Sequence, residues 1–293
     1  MPSPLPYEQL SALLAVIEGG SFQAAGKELR VTQSAVSQRI SQLEEQLGEP
    51  LLVRTSPPAL TPAGEELIAH TRRVLALEAE LLARRSNKQL RARLGINADS
   101  LATWFLPALA QFWQKSRVLV ELDVENEDYT FKRMREGVVT ACVSSRKAPL
   151  PGCEAQKLGT MNYVCCATSD FCKTYFPGGM TKANLLRAPA VLFNSKDSVH
   201  QRFLESNFKL RATSYPKHFV PSSQGFLYAV LEGMAYGLVP ELQAAPYLKR
   251  KDVKNLAPKK SVQVDLYYHY PRFETEWERE MRETIVGAAG GML

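Results

Sequence analysis

Apolar positions along the first ninety residues recur at helical spacing in separate runs. Tyr7, Leu10, Leu13, Leu14 and Ile17 form one stripe, closed by Gly19-Gly20. Ser21 then offers an N-cap, and Ala24, Ala25 and Leu29 give a small apolar face that breaks around Arg30 and Val31. Thr32 offers a second N-cap, and Val36, Ile40, Leu43 and Leu47 continue until Gly48. Two short helices joined by so tight a turn predict a helix-turn-helix over about 21–40, with Ala24, Ala25 and Ala35 small enough for close crossing. The first helix packs behind it and completes a three-helix core. Leu51–Val53, a Ser56-Pro57-Pro58 turn and Ala59-Leu60 predict a hairpin wing.

Thr61-Pro62 reads as an N-cap and first helical position, opening a helix that runs to about Arg85. Along it Leu67, Val74 and Leu81 repeat at seven, with Ile68, Leu75 and Leu82 beside them. So wide an apolar surface, with few neighbours in sequence, is expected to be buried by a second copy of the same helix, making a dimerising linker. A core helix of the same chain is the alternative. After a hinge at Ser86–Gln89 the pattern alternates. Strand-like runs (Arg93–Asn97, Val118–Val124, Val138–Val143, Tyr163–Thr168, Ala190–Phe193, Phe219–Val220, Leu238–Val239, Val262–Tyr268) exchange with helical ones (Ser100–Lys115, Thr130–Gly137, Asp197–Asn207, Gln224–Tyr236, Glu241–Leu248, Phe273–Val286). That order predicts open, largely parallel sheets covered by helices, and its length suggests two α/β lobes. The expected plan is therefore a reader over 1–60, a linker helix over 61–90 and a sensor over 91–293. Lobe I of the sensor would take about 91–165 plus 269–293, and lobe II about 166–268.

Composition narrows this picture little. At 293 residues with 45% hydrophobic and 23% charged positions, the chain can bury real cores and is not a disordered type. It has no apolar run long enough to span a membrane, and MPSPLPYEQL lacks a signal-peptide plan, so a cytoplasmic, nucleoid-associated protein is expected. The five cysteines form no C-x-x-C pair and have no histidine cluster near them, so neither a metal nor a cofactor is expected, and Cys165-Cys166 read as inert buried thiols. With four histidines, none at metal-ligand spacing, and no G-x-S-x-G, P-loop or dinucleotide fingerprint, the chain is not expected to be an enzyme.

The net charge of +6 does not locate a nucleic-acid site, because residues 1–60 hold only Lys27, Arg30, Arg39 and Arg54 against six glutamates. The motif locates it. Gln33, Ser34, Ser37, Gln38 and Gln42 give the second helix of the motif a face rich in donors and acceptors and poor in charge, suited to base edges in a major groove. Ser21, Gln23, Thr32 and Arg39 join it as candidates for double-stranded DNA, with Arg54 and Thr55 at the wing. The plainer alternative is a solvated amphipathic helix.

SFQAAGKELRVTQSAVSQRISQLEEQLGEPLLVRT, with the following LTPAGEEL, resembles the LysR-type transcriptional regulators. The resemblance implies a winged helix-turn-helix, a linker helix and a two-lobed sensor like periplasmic binding proteins. It also implies a homodimer or homotetramer, with RNA polymerase as a further partner. INADSLATWFLPALA, the VENE around Glu125 and Glu127, KTYFPGG and VPSSQGF are similar to the ArgP/LysG branch of that family, which implies a response to lysine or arginine and control of amino-acid export or metabolism genes. The basic character of Phe193–Asp197 and of Lys249-Arg250-Lys251 departs from the branch. An architectural or replication-associated DNA-binding protein is the competing reading.

Ligands of open α/β sheets bind beyond the carboxyl ends of strands, where helix N-termini present free amides. Asp99 and Ser100 fall at such a place, as cation and carboxylate partners or as plain helix caps. Glu125, Glu127 and Asp128 crowd three carboxylates into four residues, a cation site or a solvated acidic turn. Ser144, Asn194, Ser222 and Ser223 complete the expected effector contacts.

Overall fold

The structure is a computed structural model that describes residues 5–53, 55–86, 90–116, 118–124, 131, 133–134, 138–150, 152–211 and 214–293. It divides into two compact units. One comprises Met1–Gly95, Arg117–Asp123 and Asp128–Cys142, and the other Ile96–Ser116, Val124–Glu127 and Val143–Leu293.

The first unit opens with α1 (Tyr7–Gly19), α2 (Phe22–Leu29) and α3 (Gln33–Leu47). The expected caps form. The Ser21 hydroxyl accepts from the Ala24 amide at 3.1 Å, and the Thr32 hydroxyl from the Ala35 amide at 3.2 Å. The turn between α2 and α3 is tight because Arg30 takes a left-handed conformation (φ 54°) and because position 26 is glycine. A Cβ there would sit 2.9 Å from the Val31 carbonyl oxygen. Leu10, Leu13, Val16, Ala25, Val36, Ile40 and Leu43 fill the core between the helices.

The wing is the antiparallel pair β1 (Leu52–Val53) and β2 (Ala59–Leu60). Glu44 ties it to α3 by accepting from the Leu51 amide at 2.8 Å and the Leu52 amide at 3.3 Å. α4 (Pro62–Ser86) starts against the wing, where a Cβ on Gly64 would collide with the Leu51 carbonyl oxygen. Its first half belongs to the helical core through the fully buried Ile68. Leu67, expected in the dimer seam, is half-buried and packs in part against this same core of its own chain. Tyr7 donates to Glu78 at 2.9 Å and Arg72 pairs with Glu18 at 3.0 Å, holding α4 alongside α1. Beyond them Leu77, Leu81 and Leu82 are 41, 56 and 61% exposed. This unit also carries β3 (Arg91–Ile96), flanked by β4 (Leu119–Val124) and, in parallel, by β5 (Ala141–Ser144), whose last residues belong to the second unit.

The second unit begins with a helical run, α5, made of Ala98–Ser100, a π-helical turn Leu101–Phe105 and Leu106–Lys115. Its central strand is β6 (Cys153–Ala167), followed by α6 (Ser169–Tyr175), α7 (Lys182–Arg187), β7 (Ala190–Leu192), α8 (Ser198–Phe208) and β8 (Lys217–Phe219). Then come α9 (Ser223–Leu231), β9 (Gly237–Pro240), α10 (Glu241–Arg250), β10 (Lys254–Asn255), β11 (Val262–Pro271) and α11 (Glu276–Ala289). β6 is antiparallel to β11, β9 and β10, whereas β7 and β8 are parallel.

The sheets are therefore mixed rather than largely parallel. The difference traces to Cys153–Asn162, half-exposed along most of its length and without an apolar run, so that only the buried end of β6 is visible in the pattern. Cys165 and Cys166 are buried on β6, and burial raises both thiols, Cys166 to about 12, which leaves no thiolate for chemistry. Among the described residues no helix is long and apolar enough to cross a membrane.

Candidate functional site

α3 turns one face inward and the other outward. Val36, Ile40 and Leu43 are buried, so Gln33, Ser34, Gln38 and Gln42 are exposed and Ser37 is half-buried, while Gln23 is exposed on α2. Thr32 and Ser34 lie hydroxyl to hydroxyl at 2.9 Å, over the N-terminus of α3 where the backbone carries partial positive charge. The surface offers amides and hydroxyls that can pair with base edges, and a helix end that can meet a phosphate. Two expected contacts look different in place. Arg39 is engaged with Glu8 of α1 at 2.8 Å. Thr55 is exposed but its hydroxyl donates to the Pro57 carbonyl at 2.7 Å. Arg54 lies outside the described residues.

In the second unit the turn after β3 is held by Asn97, whose side-chain oxygen accepts from the Ser100 amide at 2.7 Å. This cap places Asp99 part-exposed, with Oδ2 accepting from the Tyr163 hydroxyl of β6 at 2.8 Å. The Ser223 hydroxyl lies in reach of the Asp99 carboxylate and of Gln243 Oε1 (3.3 Å), and can donate to one at a time. Burial pushes the Asp99 carboxyl above the usual carboxylate range, against the bonds from Ser223 and Tyr163, and the negative charge of Asp197 adds to the rise. Ser100 is fully buried, and its hydroxyl meets no partner among the described residues. The π turn follows directly, a local widening found more often at functional sites than elsewhere, and it carries Trp104, whose buried indole N–H likewise meets no partner among the described residues.

Of the other expected contacts, Ser144 is buried and accepts from the Arg146 amide at 3.2 Å. Asn194 accepts from the Lys196 amide at 2.8 Å, and the exposed Ser222 caps α9 through the Gly225 amide at 3.1 Å. Glu125, Glu127 and Asp128 lie outside the described residues. The structure thus brings Asp99 and Ser223 together, 124 positions apart in sequence. It adds Tyr163 and Asp197, which sequence reasoning left out. Asp197 caps α8 through the Val199 amide at 3.0 Å and also accepts from the Phe193 amide at 3.0 Å, tying the end of β7 to that helix. A carboxylate just before a helix is a visible cap signal. Its closeness to Asp99 is not.

These features define a class: a reader of duplex DNA joined to a domain equipped to bind a small molecule. The comparison with known proteins agrees. Residues 7–65 match the bacterial regulatory helix-turn-helix proteins of the lysR family, and residues 85–286 match the LysR substrate binding domain. The HTH-type transcriptional regulator ArgP of Photobacterium profundum is 42% identical over 284 residues, 96% of this chain and 95% of that protein. ArgP of Salmonella typhi is 44% identical over 282 residues, with the same coverage. Among solved structures, ArgP from Mycobacterium tuberculosis superposes with a TM-score of 0.88 at 36% identity, covering 97% of both chains. Full-length LysG from Corynebacterium glutamicum with bound effector Arg gives 0.86 at 33%, covering 98% of this chain and 99% of that one. The chain belongs to the LysR-type transcriptional regulators, a family that binds DNA and small-molecule effectors and does not work as enzymes.

Proposed function

We propose that this regulator senses a basic amino acid, lysine or arginine, in its C-terminal domain and so controls promoters of amino-acid export or metabolism genes. The observation that carries the reading is Asp99. Its carboxylate is partly desolvated, bonded by Tyr163 and close to a second carboxylate, so its charged form gains much from an incoming ammonium or guanidinium. The Ser100 hydroxyl, at the start of α5 and without a partner among the described residues, supplies a donor for the α-carboxylate. Ser144, Asn194, Ser222, Ser223, Glu125, Glu127 and Asp128 are the further contacts. LysG, 33% identical and alike over nearly its whole length, holds arginine as its effector, which supports the same ligand class here.

On the DNA side, Ser21, Gln23, Thr32, Gln33, Ser34, Ser37 and Gln38 read or position the duplex, and Arg54 and Thr55 follow the backbone at the wing. The reader spans about 1–60, the dimerising helix 61–90 and the sensor 91–293. Leu67, Val74, Leu81 and the exposed leucines beside them pair two copies as a homodimer, or as the building block of a homotetramer, that works on the nucleoid in the cytoplasm and meets RNA polymerase there. Ligand binding shifts the DNA-bound arrangement only by its differential affinity for the two arrangements. Calorimetry on the full-length protein with arginine, lysine and norleucine tests the reading. Heat with arginine or lysine and none with the uncharged norleucine is expected; no heat with either cation at millimolar concentration overturns it.

A further inference from the structure

The reader is poor in cations, and one of its four is already paired. Among residues 1–60 only Lys27, Arg30, Arg39 and Arg54 are basic. Arg39 lies on α3 directly after the exposed Gln38, the part of the helix nearest the reading face. Its guanidinium bonds to Glu8 Oε2 at 2.8 Å, from the first turn of α1. One helical turn further along, Gln9 donates to Gln42 at 3.3 Å, a second link between the same two helices. These side chains line an open hollow of about 410 Å³ beside the reading face, which Tyr7 and Gln38 also border. The arginine side chain is 28% exposed and the glutamate 78% exposed, so the pair is wet enough for a DNA phosphate to compete with Glu8 for the arginine.

We propose that Glu8 is a positioning residue for DNA binding: it holds Arg39 in place at the hollow and cancels its charge, keeping that arginine out of the set of phosphate contacts. A phosphate reaching Arg39 must displace a carboxylate already there, so the contact releases little net counterion. Sequence-independent attraction stays weak, and binding leans on the uncharged face of Gln33, Ser37 and Gln38. In a cell, where non-specific duplex is in vast excess, that restraint leaves more protein free for its true sites.

The test compares Glu8→Gln with Glu8→Gln/Arg39→Gln in the full-length protein. Glutamine keeps an acceptor for Arg39, so the arginine stays placed while the compensating charge goes. Affinity for a mixed-sequence duplex and for a duplex recovered by selection with the wild-type protein is measured between 50 and 200 mM salt. The expected result for the single variant is tighter binding to both duplexes at low salt. Its slope of log affinity against log salt steepens by about 0.9, which is about a further threefold loss across that range. The double variant returns to the wild-type slope, and both keep the wild-type unfolding midpoint. An unchanged slope in the single variant overturns the proposal. So does a steepening that survives in the double variant, since the gain would then come from lost repulsion and not from a released Arg39. Neither result depends on any effector.

Discussion

Replacing Asp99 by asparagine separates the two things its carboxylate does. In the unliganded protein the charge is disfavoured by burial first and by Asp197 second, with bonds from Ser223 and Tyr163 offsetting part of that. The neutral amide removes the unfavourable part, and its oxygen can still accept from Tyr163. The unfolding midpoint of unliganded Asp99→Asn is therefore expected to equal or exceed that of the wild type. Ligand binding moves the other way. A hydrogen bond to a charged group contributes about 1.5–3 kcal/mol, so its loss weakens arginine or lysine binding roughly 10- to 150-fold. At a ligand concentration of about 100 times the wild-type Kd, the wild type gains about 2.7 kcal/mol, whereas a variant weakened roughly fiftyfold gains only about 0.6 kcal/mol. Thermal or urea unfolding with and without arginine and lysine reads both effects in one series. An unliganded variant at least as stable as wild type, with most of the ligand-induced shift gone, is the expected pair of results. A variant that keeps the full shift refutes the assignment of Asp99 as the cation partner.

Other perturbations address the remaining parts. Gln38→Ala should relax base preference at one position of each half-site by about 1–3 kcal/mol without changing the salt slope, as measured by selection and titration; unchanged selectivity would move the reading face elsewhere. Leu81→Asp places a charge on an already exposed position of α4, so the single chain should fold while self-association drops in sedimentation; an unaltered oligomer would remove this stretch from the interface. His200 is buried against Tyr236 (Nε2 to hydroxyl 3.3 Å) and stacked on Tyr215, and burial, then the charge of Lys217, depresses its pKa to about 4. The unfolded chain titrates this group near ~6.5, so between those values it binds a proton that the folded chain refuses. Stability should therefore fall as pH drops through that window, by up to about 3 kcal/mol from this group. Urea unfolding of His200→Phe should show a correspondingly flatter acid limb, and an identical limb would contradict the buried neutral histidine.

The reader was legible because its determinants are local. Ser21, Thr32 and Gly48 mark helix ends through bonds to residues a few positions away, and the spacing of Val36, Ile40 and Leu43 states which face is inside. The run of apolar residues on α4 is equally visible, but a periodic stripe does not say which turns also meet the chain's own core, as Leu67 does. In the sensor, the place of Asp99 is legible because a strand end followed by a helix start is a local event. Ser223 is legible as a helix start, but its nearness to Asp99 is not, and Tyr163 and Asp197 give no sign of theirs, because they arrive from β6 and the turn before α8 and only the tertiary fold brings them near. The long antiparallel pairing of β6 with β11 was hidden for a related reason. One half of β6 is half-exposed and polar, and its partner lies about a hundred residues away.

The central claim is that a cationic amino acid changes how this protein holds DNA. Footprinting of the full-length protein on the region upstream of its own gene, with and without arginine or lysine, tests it most directly. The account predicts protection of paired half-sites set whole helical turns apart, whose extent changes when either amino acid is added and does not change with norleucine. Protection that is identical in all conditions, or that spreads diffusely over curved A·T-rich tracts, would contradict it.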